Sequence, residues 1–552
     1  MHSSAVTDLF RPVVKLNIRF DVPDHFDKAG VLAWLDHLRS QTVSANASFR
    51  VELESEQDFA RAYLRCCAEL AQTLAQLIRL PLFDAVALLN VTLPQRPDQT
   101  GERGLAELEI RALDFIALAT LERVFSVAVD LVGWMNGMNA RGLSVANRQT
   151  VYDHVSQQVL QPLTASVPGG QSTVPVLCVA HRLGLPFFHL GGGVYQVGFA
   201  GKGLRFDRGV VGSDTAVGAR FASNKVLTAN LLRLSGLPTP LQFMVRSHDE
   251  LSAQYARLPS PLVIKPTDAE RGEGVTMDVV ALDAAFSAFD VAQAASKQKQ
   301  VLVEEQVQGV CHRFVVVGGE VLYVVKRLPM SVYGDGKQTV QALVDAELQK
   351  QQSLAPWNRS PIKPLDTRAI EAMNRVGLKP TDVPDIGVNV PLRRIESTAD
   401  GGIDEDVTML AHPDNLKLAV DAARAIGLTV AGVDIISTDI SIAWHANGAV
   451  VNEVNYSPLL GGGAISRSYL PVFFARLVPG DGQIPIYECV DQDAAIEQIQ
   501  QCKSERLRCF CVSDSYTLDD QLQPVAMRAD GLVGRLKALL LRSDVQVIVV
   551  VK

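Results

Sequence analysis

Two apolar, β-branched segments near residue 450 constrain the fold of this chain most strongly, because each carries polar side chains that a buried strand rarely tolerates. The first segment ends in Asp434, and the second, residues 450–455, reads Val-Val-Asn-Glu-Val-Asn. The period-two alternation of a strand places Glu453 and Asn455 on one face and Val454 on the other. If the two strands pair, the three polar side chains come together.

Carboxylate and amide oxygens without His or Cys suit Mg²⁺. This ion usually keeps several waters, and substrate phosphates complete its coordination shell. We therefore predict that Asp434, Glu453 and Asn455 bind Mg²⁺. The alternative interpretation is structural, with the Glu and the Asn capping the loop that begins at Ser457 and Pro458. Further motifs along the chain favour the metal site.

The composition is that of a folded protein, and it excludes one class of partner. The chain has 552 residues, of which 47% are hydrophobic and 20% charged, a length sufficient for roughly three to four globular domains. Its 60 acidic residues exceed the 52 basic ones, giving a net charge of −8. We expect no nucleic-acid partner, because neither the charge nor a basic stripe supplies the positive surface that such binding requires.

Cysteine usage and the N-terminus predict a cytoplasmic location. The 8 cysteines are scattered, mostly in apolar runs, without metal-ligand or disulfide spacing. The N-terminal residues lack a basic region followed by an apolar core, and the most apolar helical stretch, 113–135, is interrupted by charges. We expect neither secretion nor a membrane partner.

The N-terminal part of the chain predicts an α/β domain over residues 1–165. Residues 13–20 have the character of a strand, while residues 56–80 and 105–135 carry apolar spacings of three and four that are typical of long amphipathic helices. A stretch rich in proline and glycine, residues 162–170, then marks the boundary.

The rest of the chain predicts a larger α/β domain and a small appendage. Residues 166–480 carry mixed sheets with helices, and a polar insert at about 345–390 is either a surface loop or a support for a lid. Residues 481–552 predict a small α/β C-terminal appendage, in which Cys509 and Cys511 share one face of a strand and pack in its core.

A second set of motifs indicates a nucleotide site. The β-branched strand 262–266 carries Lys265 and is followed by a loop with Arg271, Gly272 and Gly274. Such a loop can close over phosphates, because its glycines let backbone N–H groups approach oxygen atoms while the lysine supplies a charge. The alternative is a flexible hairpin.

Order along the chain supports the nucleotide site, since Lys225 lies upstream of this loop and residues 301–307 lie downstream. The downstream segment resembles an adenine hinge, in which an edge strand offers free backbone groups to the base and Val307 packs on it. Arg313 then places a cation where a transferring phosphoryl group can be stabilised, with a surface ion pair as the alternative. The signatures of P-loop nucleotidases, protein kinases, and zinc or serine hydrolases are absent.

Together these motifs resemble the ATP-grasp superfamily, and within it the ATP-grasp half of cyanophycin synthetases and the related module of bifunctional glutathione synthases. The matching segments span about residues 170–470. In chain order they are 172–173, 194–199, 222–225, 263–266 with the glycine loop, 309–313, 332–336, 401–408, 412–415, 431–434 and 452–455. The resemblance implies an ATP-grasp fold that binds ATP and Mg²⁺.

The resemblance also implies a carboxylate-amine ligase, in which a substrate carboxylate attacks the γ-phosphate of ATP and an amine then displaces phosphate from the acylphosphate to form an amide. By motif position, Lys225 and Lys265 hold phosphates and Arg313 acts in catalysis. Ser172 and Thr173 lie where this branch holds the backbone of a peptide substrate, with an ordinary N-cap as the alternative.

The chain departs from the family pattern in three places. Cys311 occupies a position that usually carries an acid for the ribose hydroxyls, so ribose binding would either be weaker or come from another residue, such as Glu304 or Glu305. Residues 394–400 differ from the family near the substrate. The muramyl-ligase-like domain of cyanophycin synthetase is missing, so we expect a single type of ligation.

We therefore predict an ATP- and Mg²⁺-dependent peptide-forming ligase that acts on an amino acid or short peptide, with Arg393 and Ser457 beside the substrate pocket. The family implies a homo-oligomer, either a dimer or a tetramer. Two alternatives stay open: a glutathione-synthase-like ligase, and a non-catalytic pseudoenzyme that binds a nucleotide or a polymer.

Overall fold

The computed structural model describes residues 9, 13–21, 25–42, 59–93, 103–113, 115–137, 142–166, 171–268, 273–394, 396 and 401–551. The chain forms two compact units. One unit is Gly209–Pro458, and the other joins Met1–Arg208 to Leu459–Lys552. The domain boundaries predicted from the sequence, near residues 165 and 480, stay predictions.

Helices and strands mix along the chain up to residue 208. The helices are α1 (Lys28–Ser40), α2 (Phe59–Leu77), α3 (Leu118–Asn136), α4 (Val145–Val155), α5 (Gln161–Leu163) and α6 (Thr173–Arg182). The strands are β1 (Val13–Phe20), β2 (Ala87–Thr92), β3 (Gly104–Arg111), β4 (Phe187–Gly191), β5 (Val194–Val197) and β6 (Leu204–Asp207). The strand predicted at 13–20 and the helix predicted within 56–80 are confirmed.

β3 shows that the helix predicted at 105–135 was placed too early. Its alternate apolar residues, Ala106, Leu108 and Ile110, are buried and the residues between them are less so, which is the period of a strand. β3 is the middle strand of an antiparallel sheet ordered β1-β3-β2. The helix begins only at Leu118.

The unit Gly209–Pro458 contains the segments predicted to bind nucleotide and metal. Its helices are α7 (Ala216–Ala222), α8 (Lys225–Leu234), α9 (His248–Tyr255), α10 (Leu282–Ala295), α11 (Val340–Ser353), α12 (Thr367–Arg375), α13 (Pro413–Ile426) and α14 (Trp444–Asn447). Its strands are β7 (Val210–Val211), β8 (Gln242–Val245), β9 (Leu262–Pro266), β10 (Thr276–Val279), β11 (Val301–Glu305), β12 (Val310–Val317), β13 (Glu320–Leu328), β14 (Ser331–Tyr333), β15 (Asn389–Pro391), β16 (Ile403–Asp406), β17 (Val430–Ser437) and β18 (Val450–Tyr456).

Two antiparallel sheets organise this unit. The central sheet has the order β16-β13-β12-β17-β18, and α13 packs on one of its faces. The small sheet has the order β10-β9-β11-β8 and shares a core with α9 and α10. The apolar residues of α13 recur every three to four positions, as a helix on a sheet requires.

Residues 331–394, called the insert below, fold around a core of their own. The two-stranded antiparallel sheet β14–β15 packs with α11 and α12 through buried residues such as Val332, Val340 and Met373. The polar segment predicted at about 345–390 is therefore not a surface loop. Its few apolar residues are far apart in sequence and meet only when the two strands and the two helices assemble.

The C-terminal residues form the expected small α/β element. The helices are α15 (Ala464–Ser468), α16 (Leu470–Leu477), α17 (Gln492–Ser504) and α18 (Gly531–Leu540), and the strands are β19 (Ile486–Cys489), β20 (Cys509–Val512), β21 (Thr517–Leu518) and β22 (Val547–Val551). The sheet order is β19-β22-β20-β21, with the first three strands parallel. Cys509 and Cys511 are buried in its core, as predicted. Over the described ranges, no helix has both the length and the apolar character needed to cross a bilayer.

Candidate active site

Three adjacent strands of the central sheet bring the predicted catalytic and metal-binding side chains into one row. Because β12, β17 and β18 pair antiparallel, Arg313 lies opposite Asp434, and Asp434 lies opposite Glu453. Asn455 lies opposite Gly432, two residues along the same face. The four side chains of Arg313, Asp434, Glu453 and Asn455 are called the charged row below.

The opposite face of the same strands is apolar. Phe314, Val433 and Val454 are buried there in the core that α13 covers. Since successive side chains of a strand point to opposite faces, this apolar contact fixes the polar residues on the other side. The predicted orientation of Val454, away from the polar side chains, is confirmed.

Arg313 and Asp434 form a bidentate ion pair. Nε of Arg313 donates to Oδ1 of Asp434 at 2.7 Å, and Nη2 donates to Oδ2 at 2.6 Å. Burial raises the pKa of Asp434, and the charge of Arg313 opposes that rise. Burial also acts to lower the pKa of Arg313, but Asp434 and Glu453 more than offset it, so the guanidinium stays charged.

Glu453 lies among cations and stays ionised. Its carboxylate oxygens lie 3.9 Å from Nζ of Lys225 and 3.9 Å from Nη2 of Arg313, and Oε1 accepts a hydrogen bond from Nδ2 of Asn455 at 3.1 Å. Burial alone would raise the pKa of Glu453, but its polar partners, Lys225 foremost, lower the pKa to about 2. Lys225 therefore faces the charged row from the start of α8.

The oxygen atoms of the charged row fit a hard cation such as Mg²⁺. Nδ2 of Asn455 faces both carboxylates, at 3.5 Å from Asp434 and 3.1 Å from Glu453. The orientation of an amide is assigned from its hydrogen bonds, so a half-turn of this side chain would present its oxygen instead. In the part of the chain that the structure describes, no three His, Cys, Asp or Glu side chains come together as a metal site. Mg²⁺ usually keeps several waters and takes substrate oxygens, which would complete its coordination shell here.

Lys265 and Glu304, both predicted to contact ATP, are paired with each other. Nζ of Lys265 lies 2.5 Å from Oε1 of Glu304, and the two side chains are only 11% and 8% exposed. They meet because β9 and β11 are neighbours in the small sheet. An ammonium group has three N–H donors, so this pair leaves donors for phosphate oxygens.

The predicted adenine hinge differs from expectation, because β11 is not an edge strand. It pairs with β9 on one side and with β8 on the other. Past the strand, the N–H of Gln306 donates to the carbonyl of Pro261 at 2.9 Å, and Oε1 of Glu305 accepts from the N–H of Leu241 at 2.8 Å. A base would therefore meet the backbone at or after Gln306, where Val307 is half-buried.

The predicted phosphate loop is described only in part. Arg271 and Gly272 lie outside the described residues. Gly274 has a φ of +68°, and a Cβ at this position would lie 2.7 Å from the Cβ of Ala295. Both the left-handed backbone and the close approach of α10 require glycine here. Its contact with phosphate stays a prediction.

Several proteins of known function are similar in sequence to this chain. It is 29% identical to the cyanophycin synthetase of Trichormus variabilis over 340 residues, which is 60% of this chain and 37% of that protein. Over these residues the chain is similar to the cyanophycin synthetases. It spans little more than a third of the length of the curated relative, at 37%. No protein-family model matches it.

Two glutathione-related proteins are also similar to this chain. It is 29% identical over 244 residues to the glutathione biosynthesis bifunctional protein GshAB of Streptococcus agalactiae, covering 43% of this chain and 32% of that protein. A solved bifunctional glutathione synthetase from Pasteurella multocida aligns with 82% of this chain and 78% of its own, at 18% identity and a TM-score of 0.44.

Two predicted substrate residues, Ser172 and Thr173, lie at the start of α6, in the unit that does not contain the charged row. Their side chains are buried. Ser172 occupies the N-cap position but makes no capping hydrogen bond through its side chain. The ordinary N-cap is therefore not supported as the alternative, and contact with a peptide stays a prediction.

Arg393 and Ser457, the other predicted substrate residues, differ in their surroundings. Both terminal nitrogens of Arg393 donate to Asp366, at 3.1 Å and 3.0 Å, within the insert. Ser457 directly follows β18 and has a φ of +56°, a strained conformation that is concentrated at functional sites. Their roles toward a substrate stay predictions.

Arg327 also belongs to this site, although no sequence motif points to it. Its Nη1 lies 3.7 Å from Oδ2 of Asp434, and its side chain is 17% exposed. On the edge strand β16, Asp404 lies opposite Arg327. Cys311 shares this face of β12, and burial raises the pKa of its thiol well above the ordinary value. Only the register of four strands reveals this extension of the charged row.

Proposed function

We propose that this chain is an ATP- and Mg²⁺-dependent carboxylate-amine ligase that forms an amide through an acylphosphate. The observation that carries the proposal is the charged row, in which two carboxylates, an amide and a guanidinium meet on one face of the sheet. The similarity to a cyanophycin synthetase supports it. The aligned stretch is 37% of that relative, so we propose the ligation chemistry and do not extend the complete activity of the relative to this chain.

In the first proposed step, an oxygen of the substrate carboxylate attacks the γ-phosphorus of ATP, the bond to the bridging oxygen breaks, and ADP leaves. Lys225 and Lys265 hold the phosphates by charge. Asp434, Glu453 and Asn455 would hold Mg²⁺, whose chemical contribution is to neutralise charge on the β- and γ-phosphates. Because the pKa of Glu453 is about 2, its carboxylate needs no deprotonation at neutral pH.

In the second proposed step, the amine nitrogen attacks the acyl carbon, the carbon–oxygen bond to phosphate breaks, and the amine gives up a proton as phosphate leaves. Arg313 stabilises negative charge on the acylphosphate and on the tetrahedral intermediate. Arg327 lies 3.7 Å from Asp434. It can therefore compensate that buried carboxylate while Arg313 faces the substrate.

We further propose amino acid or peptide substrates, a cytoplasmic location, and assembly into a dimer or tetramer of identical chains. The location is supported by the cysteines, since all of them are free thiols and most are buried, as is usual in a reducing compartment.

A non-catalytic nucleotide-binding protein is the second candidate. Two observations favour it: the thiol of Cys311 stands where the family has an acid, and both Arg313 and Lys265 are already paired with carboxylates. A glutathione-synthase-like ligase would use the same chemistry and differ only in its substrates.

The test is phosphate release from ATP and Mg²⁺ in the presence of paired pools of amino acids and dipeptides, with mass spectrometry of the products. A ligase releases phosphate only with a matching pair and yields a product lighter than the pair by one water. Glu453→Gln should reduce turnover at least about 100-fold, since phosphoryl transfer depends on charge neutralisation.

The matched control is Glu405→Gln, which makes the same change on the opposite face of the same sheet and should leave turnover within about twofold. Tight ATP binding without phosphate release from any pool would favour the non-catalytic candidate. Equal losses in the two variants would remove the charged row as the catalytic site.

A further inference from the structure

Asp278, on β10 of the small sheet, has an unusual backbone conformation. Its φ is +58°, a region that residues other than glycine seldom adopt and that surrounding contacts must hold. The register of β10 against β9 shifts between Thr276 and Val279, so the strand is irregular at this residue. Neither the charged row nor the phosphate loop accounts for these features.

Asp278 holds the hinge through two reciprocal hydrogen bonds with Gln306. The backbone N–H of Asp278 donates to Oε1 of Gln306 at 2.6 Å, and Nε2 of Gln306 donates to Oδ1 of Asp278 at 2.7 Å. The N–H of Gln306 is bonded to Pro261. Both the side chain and the backbone of Gln306 are therefore fixed, at the point where an adenine base would first meet the hinge.

Two arginines of the insert reach the other oxygen of the same carboxylate. Nη2 of Arg394 donates to Oδ2 of Asp278 at 2.6 Å, and Nη1 of Arg375 donates to the same atom. Arg375 ends α12, and Arg394 follows β15. Hydrogen bonds from Gln306 and Arg375 lower the pKa of Asp278. One ionised carboxylate thus joins the insert to the hinge.

We propose that Asp278 is a positioning residue for ATP, whose charge sets nucleotide affinity by holding the insert against the hinge. The inference rests on the proposed function, since it requires that the hinge bind adenine. Without this charge, the two guanidiniums would face each other uncompensated, and Gln306 would lose the ionised acceptor of its side-chain amide. The hinge would then sample other positions, while the charged row on the central sheet would stay intact.

The expected effect is moderate, because the ion pairs are partly exposed. The side chain of Asp278 is 39% exposed, that of Arg394 31% and that of Arg375 51%. Water screens such pairs. We expect the dissociation constant for ATP to rise about tenfold when the charge is removed, the change that about one charged hydrogen bond provides.

The test is calorimetric titration of the full chain with ATP and Mg²⁺, for the wild type and for Asp278→Asn. Asparagine tolerates a left-handed backbone better than other side chains, so this variant removes the charge and keeps the fold. Arg375→Met removes the contact with Asp278 from the side of the insert. Arg375→Lys keeps the charge, so its dissociation constant for ATP should lie between those of Arg375→Met and the wild type. The matched control is Asp283→Asn, which makes the same change in the first turn of α10, the helix that packs on the small sheet.

Weaker ATP binding in Asp278→Asn and Arg375→Met, with losses that do not add in the double variant, supports the inference. The difference from the wild type should shrink at high salt, and turnover at saturating ATP should stay within about twofold of the wild type.

Unchanged ATP affinity in both variants overturns the inference and leaves the proposed function standing. A wild type that binds no ATP overturns both. Thermal unfolding of each variant separates a positioning effect from a folding defect. A folding defect lowers the thermal midpoint of the variants that bind ATP more weakly, whereas a positioning effect lowers the affinity alone.

Discussion

Arg313 and Asp434 are joined by two parallel hydrogen bonds across neighbouring strands, with the carboxylate 2% exposed. Water cannot solvate a carboxylate this deeply buried, so its charge depends on the guanidinium. A metal ion bound to Asp434 would compete with Arg313 for the same oxygens. The pair therefore connects the stability of the central sheet with the state of the site.

Arg313→Met should destabilise the protein by about 3 kcal/mol, because it leaves the buried charge of Asp434 with only the more distant Arg327. Urea unfolding measures the loss. The double variant Arg313→Met/Asp434→Leu should recover most of it, since no buried charge then remains unpaired.

The control for this loss is Arg424→Met, whose side chain is 72% exposed in its pair with Asp421 and which should cost less than about 1 kcal/mol. A double variant no more stable than Arg313→Met would contradict the account.

Glu453 should make the protein sensitive to acid. Its pKa is lowered from 4.5 to about 2 in the folded chain, so the unfolded chain binds a proton in this range before the folded chain does. The carboxylate therefore stabilises the fold above pH 4.5, and this contribution is lost as the pH falls toward 2. Thermal midpoints of Glu453→Gln should fall less steeply than those of the wild type between about pH 5 and 3. If the thermal midpoints of the two proteins fell in parallel with pH, the Glu453 carboxylate would not be stabilised by Lys225 and Arg313.

His312 should add a second pH dependence at milder acidity. It is 4% exposed on β12, and among the described residues its Nδ1 has no hydrogen-bond partner. Burial lowers its pKa below the ordinary 6.5 and the charge of Lys326 on the neighbouring strand adds to this, while the backbone at Val310 and Ile435 and the charge of Asp439 oppose it.

The folded chain thus keeps His312 neutral while the unfolded chain protonates it, so stability is lost as the pH falls below 6.5. His312→Gln should reduce the slope of the thermal midpoint against pH between about pH 7.5 and 5.5. The control variant is His25→Gln, at an exposed residue. A slope that His312→Gln does not alter would rule out this residue as its source.

The charged row could be predicted from the sequence because it rests on local rules. Alternation along a single strand fixes the face of Glu453 and Asn455, and the apolar Val454 between them shows which face is buried. No such rule gives the neighbours of a strand. β11 was therefore expected at an edge and lies between two others, and Arg327 comes to Asp434 only through register across β13, β12 and β17.

The long helix predicted at 105–135 and the surface loop predicted at about 345–390 were wrong because the sequence pattern in each segment was misleading. In residues 106–110, apolar and acidic side chains alternate, yet the strongly periodic helix that follows made one long helix the simpler interpretation. The insert looked polar because its core is assembled from short pieces that include two strands distant in sequence. Composition over a window cannot detect a core of that kind.

Gly309 tests whether the backbone at the start of β12 positions Arg313, four residues further on. Its φ is +132°, and a Cβ there would lie 2.4 Å from the carbonyl carbon of Ser437 on β17. Gly309→Ala should cost at least about 2 kcal/mol in urea unfolding, because it combines backbone strain with a collision against a paired strand. It should also lower turnover by moving the guanidinium away from Asp434.

Gly319→Ala is the matched control, since its φ is +85° and nothing lies within 4 Å of its added Cβ, so it should cost only about 1 kcal/mol. Equal losses in the two variants would mean that strain alone acts and that the close approach of β17 does not set the position of Arg313.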